Sequence, residues 1–467
     1  MQSSSQASPS FLVKLFPIFG RKNVDWRTEV LAGLTTFITM AYIIAVNPDI
    51  LGATGMDKGA LVTATCLAAA IGCFVMGFVA DLPFALASGM GLNAFFAFSV
   101  VLQRGIPWEI ALTAVFCEGL IFILLTLFKV REAVVNAIPI NMKHAVTGGI
   151  GVFIAFIGLK GTGLIVANEA TLVSLGSINV AIIISFVGLI CIAVAAKKGI
   201  KGAILIGMAV STILAWTYAF INPEHASELL IFLPEGIFRF DSISPIAMKM
   251  DFSIFSHPEK LASFLVVLVT FLFVDFFDTV GTLVGVSSKV GMLDEKGNVP
   301  RVGRALFSDA IATTAGAMLG VSTVTTFVES SAGVNSGGRT GYTALTTGVL
   351  FLVAMFFAPI FIAIPGCATA PALIYVGYLM LTSITKIDLD DITEGLPAFI
   401  TIIAMALTYS IGDGLTIGVL SYVFINLFYN LIAKKEERKR ISWVMLLLSL
   451  LFMAKLFFIK SSTQKSH

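Results

Sequence analysis

The chain has 467 residues, of which 57% are hydrophobic and 12% are charged. Ordinary soluble domains carry about 25% charged residues, so the composition excludes a soluble globular protein, which would need a charged shell. Apolar runs recur that reach the length of about 18 residues needed to cross a bilayer. The net charge of +2, without a basic patch, gives no sign of a nucleic-acid partner. The five cysteines are scattered singly, which predicts core residues rather than a metal site, and no cofactor is expected.

Taken in chain order, the apolar runs between polar breaks predict fourteen membrane-spanning segments in two sets of seven. The first set lies near 28–48, 59–80, 84–102, 108–128, 142–163, 176–196 and 200–220, and the second near 260–287, 304–321, 324–338, 341–362, 366–385, 396–411 and 413–433. The expected units are a tail (1–27), a first repeat (28–220), an external connection (221–259), a second repeat (260–433) and a C-terminal region (434–467). Within that last region, we expect the apolar stretch 442–459 to lie at the interface or dock on the bundle, and a crossing is left open.

Basic residues mark one side of this arrangement. Lys14, Arg21, Lys22 and Arg27 precede the first span, and further basic clusters follow the fourth, sixth and fourteenth spans. The 221–259 connection, on the opposite side, is acidic. By the positive-inside rule, we expect a multi-pass protein of the cell membrane with a cytoplasmic N-terminus.

Short motifs repeat in the same order in the two halves. The sequence SGMGLN at 88–93 matches SSAGVN at 330–335 in Ser, Gly and Asn, and the tripeptide AIP occurs at 137–139 and 363–365. A repeat with an odd number of crossings must be inverted in the membrane, as in many secondary transporters. We therefore predict an all-α membrane protein with two inverted seven-segment repeats. The stretches 81–89 and 321–327 predict two broken helices, each with a short extended segment that lines a cavity or is buried in protein.

Three carboxylates lie in strongly apolar surroundings and are the first candidates for a functional site. Asp275 and Asp278 share a polar stripe on one predicted helix, and Glu329 follows the second extended segment. An aspartate at the centre of a spanning helix costs about 2.5–3.5 kcal/mol on insertion scales, so such residues usually face a cavity or pathway. The alternatives are an interhelical hydrogen-bond cluster for the aspartates and a helix-capping role for Glu329. Asp275 lies deeper in the apolar run than Asp278.

Other residues of the apolar segments are weaker candidates for a functional site. Asn93 offers both a donor and an acceptor to a ligand, or it packs across the break. Glu118 and Asp309 are acids without a nearby glycine break, which favours interhelical bonding partners or pathway residues. The glycines at 281–285 and 148–151 predict close helix packing.

Four of these segments resemble the signatures of the adenine/guanine/hypoxanthine permeases, the purine branch of the nucleobase–cation symporter family. They are TTFITMAY at 35–42, PFALASGMGLNA at 83–94, FVDFFDTVGTL at 273–283 and TTFVES at 325–330. The resemblance covers about residues 20–433. It implies a core domain and a gate domain built from the inverted repeats, and import of purine bases by proton symport through alternating access.

The resemblance also assigns residues. By motif, Asn93, Asp275 and Glu329 are expected to contact the substrate, with Gly91 in or near the site. We further expect Ser330 in the substrate site. Asp278 and Thr279 are then candidates for proton coupling or for a place just behind the site.

Two departures separate the chain from the xanthine and uracil branch. That branch usually has Asn directly after the acid of the second broken helix, where this chain has Ser330. It also often has His one turn after the first acid, where this chain has Thr279. Both differences favour hypoxanthine and guanine, with adenine as a further option, over xanthine or uracil.

The residue types fit a purine, which presents a rim of alternating donors and acceptors that a carboxylate and an amide can pair with. A carboxylate removed from water also takes up a proton more readily, which suits proton rather than sodium coupling. The same architecture leaves open a transporter of another planar or anionic solute, or a channel. Catalysis is not expected, because neither a zincin motif nor a nucleophile elbow occurs in the sequence. The preferred purine, the stacking aromatic and the oligomeric state, a homodimer included, stay open.

Overall fold

The computed structural model describes residues 13, 16–21, 24–128, 138–289, 291–292 and 299–463. Lys14, Lys22 and Ala137 lie outside this part of the chain, as do Lys129 and Arg131 of the basic cluster that follows the fourth predicted span. Most of the predicted N-terminal tail and residues 464–467 lie outside it as well.

The first repeat consists of eight α-helices and three short strands. They are α1 (Trp26–Met40), α2 (Ile43–Gly52), α3 (Lys58–Val75, continued by a π-helical turn to Ala80), β1 (Leu86–Ser88), α4 (Met90–Ala94, continued as a π-helix to Gln103), α5 (Trp108–Leu127), α6 (Ile140–Gly161), β2 (Ile165–Asn168), β3 (Leu172–Leu175), α7 (Val180–Lys197) and α8 (Ala203–Ile221). Asp25, Asp57 and Asn179 cap α1, α3 and α7, where each side chain accepts from a first-turn N–H group. Such caps satisfy donors that a helix leaves unpaired at its start.

The connection and the second repeat follow. The elements are α9 (Pro223–Glu228), α10 (Pro258–Lys289), α11 (Val302–Leu319), β4 (Val324–Thr326), α12 (Ser330–Asn335), α13 (Gly341–Ala354), α14 (Ala358–Ile362), α15 (Gly366–Leu381), α16 (Ile392–Leu407), α17 (Ile411–Ile432) and α18 (Trp443–Thr463). Short 3₁₀ turns lie at Pro17–Gly20, Phe252–Ser256 and Thr382–Lys386.

Each predicted span corresponds to observed elements. Within the described part of the chain, nine helices are long and apolar enough to cross a membrane. The other five predicted spans are β1 with α4, α11, β4 with α12, α13 with α14, and α16. The predicted fold class is confirmed, with two broken helices that carry short extended segments. One feature was not predicted: the hairpin of β2 and β3, which connects α6 to α7.

The helices pack into two groups, and each group takes corresponding parts of both repeats. In the first, which we call the core group (residues 26–127 and 258–362), α1 and α3 pack on α13, α3 and α5 on α11, and α5 on α10. In the second, the gate group (residues 140–221 and 366–432), α6 packs on α15 and α16, and α7 and α8 pack on each other and on α15. This exchange of elements between the halves is what an inverted repeat produces.

Glycines allow the closest helix contact in the gate group, as predicted for 148–151. A Cβ built at Gly151 would lie 2.5 Å from the carbonyl oxygen of Gly377, and one at Gly377 would lie 2.4 Å from the carbonyl oxygen of Gly151. Helices α6 and α15 therefore touch through their backbones. The same prediction is wrong for Gly281 and Gly285, since a Cβ at either position has no neighbour within 4 Å among the described residues. In the described part of the chain, both positions of α10 therefore face open space.

The C-terminal helix α18 docks on the bundle along α17 and α10. Its buried residues Met445, Leu448 and Phe452 line a small cavity together with Phe273 of α10 and Leu415 of α17. Its other face is exposed and apolar. The helix thus bridges the two groups from outside.

Candidate functional site

The two broken helices meet through their extended segments. Strand β1 pairs antiparallel with β4, and the register places Leu86 opposite Thr326 and Ser88 opposite Val324. The strand pair lies between α3, α10 and α11. Because the pairing is antiparallel, α4 and α12 begin at opposite ends of the strand pair inside the core group. Each helix start presents backbone N–H groups and a partial positive charge beside the strand pair.

Glu329 lies at the junction of β4 and α12, and its side chain contacts the first span. The Tyr42 hydroxyl donates a hydrogen bond of 2.6 Å to Oε1 of Glu329. The carboxylate makes no capping hydrogen bond to α12, so the capping alternative does not describe this side chain. The backbone N–H group of Glu329 itself is within hydrogen-bonding reach of the carboxylate, and the residue is partly exposed. Among the described residues, no other residue donates to Oε2.

A buried hydroxyl connects the acids of α10 and α11. The Thr279 hydroxyl lies 2.9 Å from Oδ1 of Asp309, 3.3 Å from Oδ1 of Asp275 and 2.8 Å from the Thr325 hydroxyl of β4. Asp275, Thr279 and Asp309 are fully buried. Both predicted residues thus join an interhelical network, which is the alternative considered for the aspartates.

Asp278 follows Asp275 by less than one turn of α10. It is within hydrogen-bonding reach of Thr325 and within electrostatic range of Asp309 and Glu329. It is also partly exposed, whereas Asp275 is fully buried. Asp278 and Glu329 are therefore the two predicted acids that are partly exposed.

Asn93 is held by a buried polar network within the core group. Its Nδ2 donates to Oδ1 of Asn47 at 2.5 Å, and its Oδ1 accepts from the Ser88 hydroxyl at 2.7 Å. Asn47 in turn donates to the Thr65 hydroxyl at 2.6 Å. The network ties α2, α3 and α4 together around the break. A direct contact between Asn93 and a ligand therefore requires that these hydrogen bonds open.

Ser330 and Gly91 have close protein contacts. The Ser330 hydroxyl accepts from the Ala85 N–H group at 3.0 Å, which extends the link between the two broken helices. A Cβ at Gly91 would lie 2.7 Å from Cγ2 of Ile150 on α6. Gly91 is therefore a point at which the core group touches the gate group.

Glu118 also belongs to the core hydrogen-bonding network, as expected for an interhelical partner. Its Oε2 accepts from the Thr323 hydroxyl at 2.9 Å, just before β4. In the described part of the chain, no cluster of three or more His, Cys, Asp or Glu side chains is arranged to hold a metal ion.

The two ends of the core–gate boundary differ. At one end, Nη2 of Arg104 pairs with Oδ1 of Asp413 at 3.2 Å, and the Ser99 hydroxyl donates to the Tyr409 carbonyl at 3.1 Å. These contacts join the end of the first broken helix to the turn between α16 and α17. At the other end, Asp278, Gly281 and Gly285 follow one face of α10, and the glycine positions are open. The two groups are thus joined by side-chain contacts at the first end, while this face of α10 is open at the second.

Tyr42 and Thr325 were not among the predicted site residues. Both lie in motifs that the sequence analysis quoted, but a tyrosine or threonine in an apolar run is an ordinary core residue. The structure interrupts the first span at Tyr42 itself, between α1 and α2.

Comparisons with known proteins identify the family to which the chain is similar. The model of the Permease family (Xan_ur_permease) matches residues 27–416. The adenine permease AdeP of Escherichia coli is 41% identical over 93% of this chain and 93% of its own length. The guanine/hypoxanthine permease PbuG of Bacillus subtilis is 41% identical over 88% of this chain and 93% of its own length. Among solved structures, the transmembrane domain of the cyanobacterial bicarbonate transporter BicA superposes with a TM-score of 0.64 at 15% identity, and the match covers 84% of this chain and 98% of that domain; this likeness shows the fold.

The family model covers most of the chain, and both relatives match it over nearly their whole lengths. The spans confirm the expectation of a multi-pass membrane protein. The chain therefore belongs to the Permease family, and it is a membrane transporter and not an enzyme.

Proposed function

We propose that the protein imports purine nucleobases by proton symport. The proposed substrates are hypoxanthine and guanine, with adenine as a further option. The observation that carries this proposal is the Glu329 carboxylate, whose Oε1 accepts from Tyr42 while no other described residue donates to Oε2. An acceptor in a partly closed site suits the N–H groups on the rim of a purine. Relatives named as adenine and guanine/hypoxanthine permeases, at about the same identity, support this substrate class.

The carboxylates argue against an inorganic anion as substrate. Asp278 is within electrostatic range of Glu329 and Asp309, and the Thr279 hydroxyl links Asp309 to Asp275. Negative side chains at such spacing repel an anion, whereas a neutral base with N–H donors pairs with them. Glu329 is the residue to which we assign direct substrate contact, and Asp275, Asn93, Gly91 and Ser330 keep the predicted roles in or around the site.

Alternating access is supported by the unequal ends of the core–gate boundary. We assign the Arg104–Asp413 end to the outside, because it lies opposite the predicted cytoplasmic N-terminus. The open face of α10 at Gly281 and Gly285 then leads to the cytoplasm, so this structure corresponds to an inward-open state. Movement of the core group against the gate group would break the contacts at Arg104 and cover the glycine face.

Proton coupling requires that protonation of a site acid changes the affinity for the base. A proton that binds equally well to two states cannot shift the equilibrium between them. Asp278 is the acid that we assign to this role, because it is partly exposed and lies next to Glu329. Thr279 connects the acids behind it through its hydroxyl. A proton taken up outside with the substrate would leave on the cytoplasmic side, where the pH is higher.

Uptake of radiolabelled hypoxanthine tests the substrate class. Cells that lack their own purine uptake should accumulate the label when they produce this protein, and unlabelled guanine or adenine should compete. Xanthine and uracil should compete poorly, because Thr279 and Ser330 replace residues typical of their carriers. Strong competition by xanthine or uracil, but not by guanine or adenine, would replace the proposed substrate with the alternative one.

Proteoliposomes test the coupling ion. An imposed pH gradient, acidic outside, should drive hypoxanthine accumulation without sodium, and a protonophore should abolish it. A sodium gradient alone should not drive uptake. If sodium alone is sufficient, the coupling assignment is wrong while the purine site stands.

A further inference from the structure

The hydrogen bond between Tyr42 and Glu329 determines how the carboxylate is presented. The terminal torsion of a glutamate side chain is soft and roughly two-fold, so an external contact must fix its rotation. The Tyr42 hydroxyl does so through its 2.6 Å bond to Oε1. Tyr42 itself is fully buried at the break between α1 and α2, and therefore its ring cannot move aside without local repacking.

The break in the first span also covers one side of Glu329. The Thr39 hydroxyl, near the end of α1, lies 3.4 Å from the Glu329 carbonyl oxygen. The Oε1 side of the carboxylate is thus lined by the first span, while no other residue of the described part of the chain donates to Oε2. A ligand that approaches from the open side meets Oε2.

We propose that Tyr42 is a specificity-determining residue that commits one oxygen of Glu329 to the protein, so that the site pairs with a single N–H group of the base. This inference rests on the proposed purine function. A free carboxylate can accept two parallel hydrogen bonds from adjacent donors. Guanine offers such a pair, its ring N1–H and its 2-amino group, whereas hypoxanthine offers the ring N1–H alone at that edge. A one-oxygen acceptor removes the advantage that guanine would have.

The inference is tested by comparing the affinities of guanine and hypoxanthine, which differ only in the 2-amino group. In purified wild-type protein, guanine should bind less than about tenfold more tightly than hypoxanthine, because one hydrogen bond to a charged acceptor corresponds to tenfold or more in affinity. Guanine binding more than tenfold tighter would show that both oxygens are used and would overturn the inference. This measurement needs no variant.

The variant Tyr42→Phe removes the hydroxyl and keeps the ring. The carboxylate is then able to turn both oxygens toward the ligand, and the ratio of guanine affinity to hypoxanthine affinity should rise by about tenfold. A merely structural role for Tyr42 would weaken both purines by the same factor and leave the ratio unchanged, which would refute the proposal. Tyr378→Phe is the matched control, since Tyr378 is exposed on α15, and it should leave both affinities unaltered.

Failure of the proposed function looks different. If the wild-type protein binds neither purine at any concentration tested, the purine assignment falls and this inference falls with it. If the wild-type protein binds hypoxanthine and the ratio is the same in Tyr42→Phe, the purine assignment stands and the inference alone is refuted.

Discussion

Replacement of Glu329 by glutamine tests the central contact of the site. The amide keeps the size of the carboxylate but has one acceptor and one donor end. Since Tyr42 donates to Oε1, the amide oxygen should take that position, which turns the NH₂ group toward the substrate. A donor then faces the N–H group of the base. The loss of a hydrogen bond to a charged acceptor, about 1.5–3 kcal/mol, corresponds to a fall in purine affinity of about 10- to 150-fold.

The measurement is equilibrium binding of radiolabelled hypoxanthine to purified protein, with the thermal unfolding midpoint as a check on folding. Glu224→Gln is the matched control, because Glu224 lies exposed in α9, far along the chain from the broken helices. It should bind hypoxanthine as the wild type does. Unchanged hypoxanthine affinity in a folded Glu329→Gln protein would falsify the assignment of Glu329 as a substrate ligand.

Three further predictions concern the scaffold around the site. In Gly91→Ala the new methyl group would lie 2.7 Å from Ile150 on helix α6. We expect the free energy of unfolding to fall by about 1–3 kcal/mol, which a lower thermal unfolding midpoint would show. An unchanged midpoint would contradict the tight contact. Arg104→Ala removes an ion pair to Asp413 that contributes about 0.2–1 kcal/mol. A cysteine introduced beside this pair should then react with a thiol reagent up to about fivefold more. Equal reaction in the two proteins would show that the ion pair does not hold the core and gate groups together there. The hydrogen bond from Lys439 holds the pKa of Asp391 below its ordinary value. The ionised Asp391 therefore stabilises the folded state above its unfolded pKa of about 4. This stabilisation is lost as the pH falls through the lower pKa of the folded state. The unfolding midpoints of wild type and Asp391→Asn should therefore differ at neutral pH and converge in acid, and a difference that persists in acid would contradict the prediction.

The sequence by itself determined the class of protein, the spans and the repeat. Apolar length and the lack of charge are properties of the chain that the bilayer selects directly, because a spanning segment must bury its backbone polar groups in its own helix. The two broken helices were also predictable, since small and β-branched residues interrupt the apolar runs in corresponding places. Their pairing as β1 and β4 follows from the inverted repeat, which brings both breaks to one level.

The contacts around Glu329 were decided by the tertiary structure alone. The partner of its carboxylate, Tyr42, lies 287 residues away in the chain, and no local pattern distinguishes this tyrosine from a core aromatic. The same holds for Asn93, which the sequence assigns to the substrate and which the fold places in a network with Asn47. The glycines of α10 show the limit most clearly, because a small residue predicts close packing only where another helix packs against it, and no described residue lies within 4 Å of a Cβ at Gly281. Which surfaces meet depends on how the core and gate groups pack, and that packing sums many contacts between distant segments.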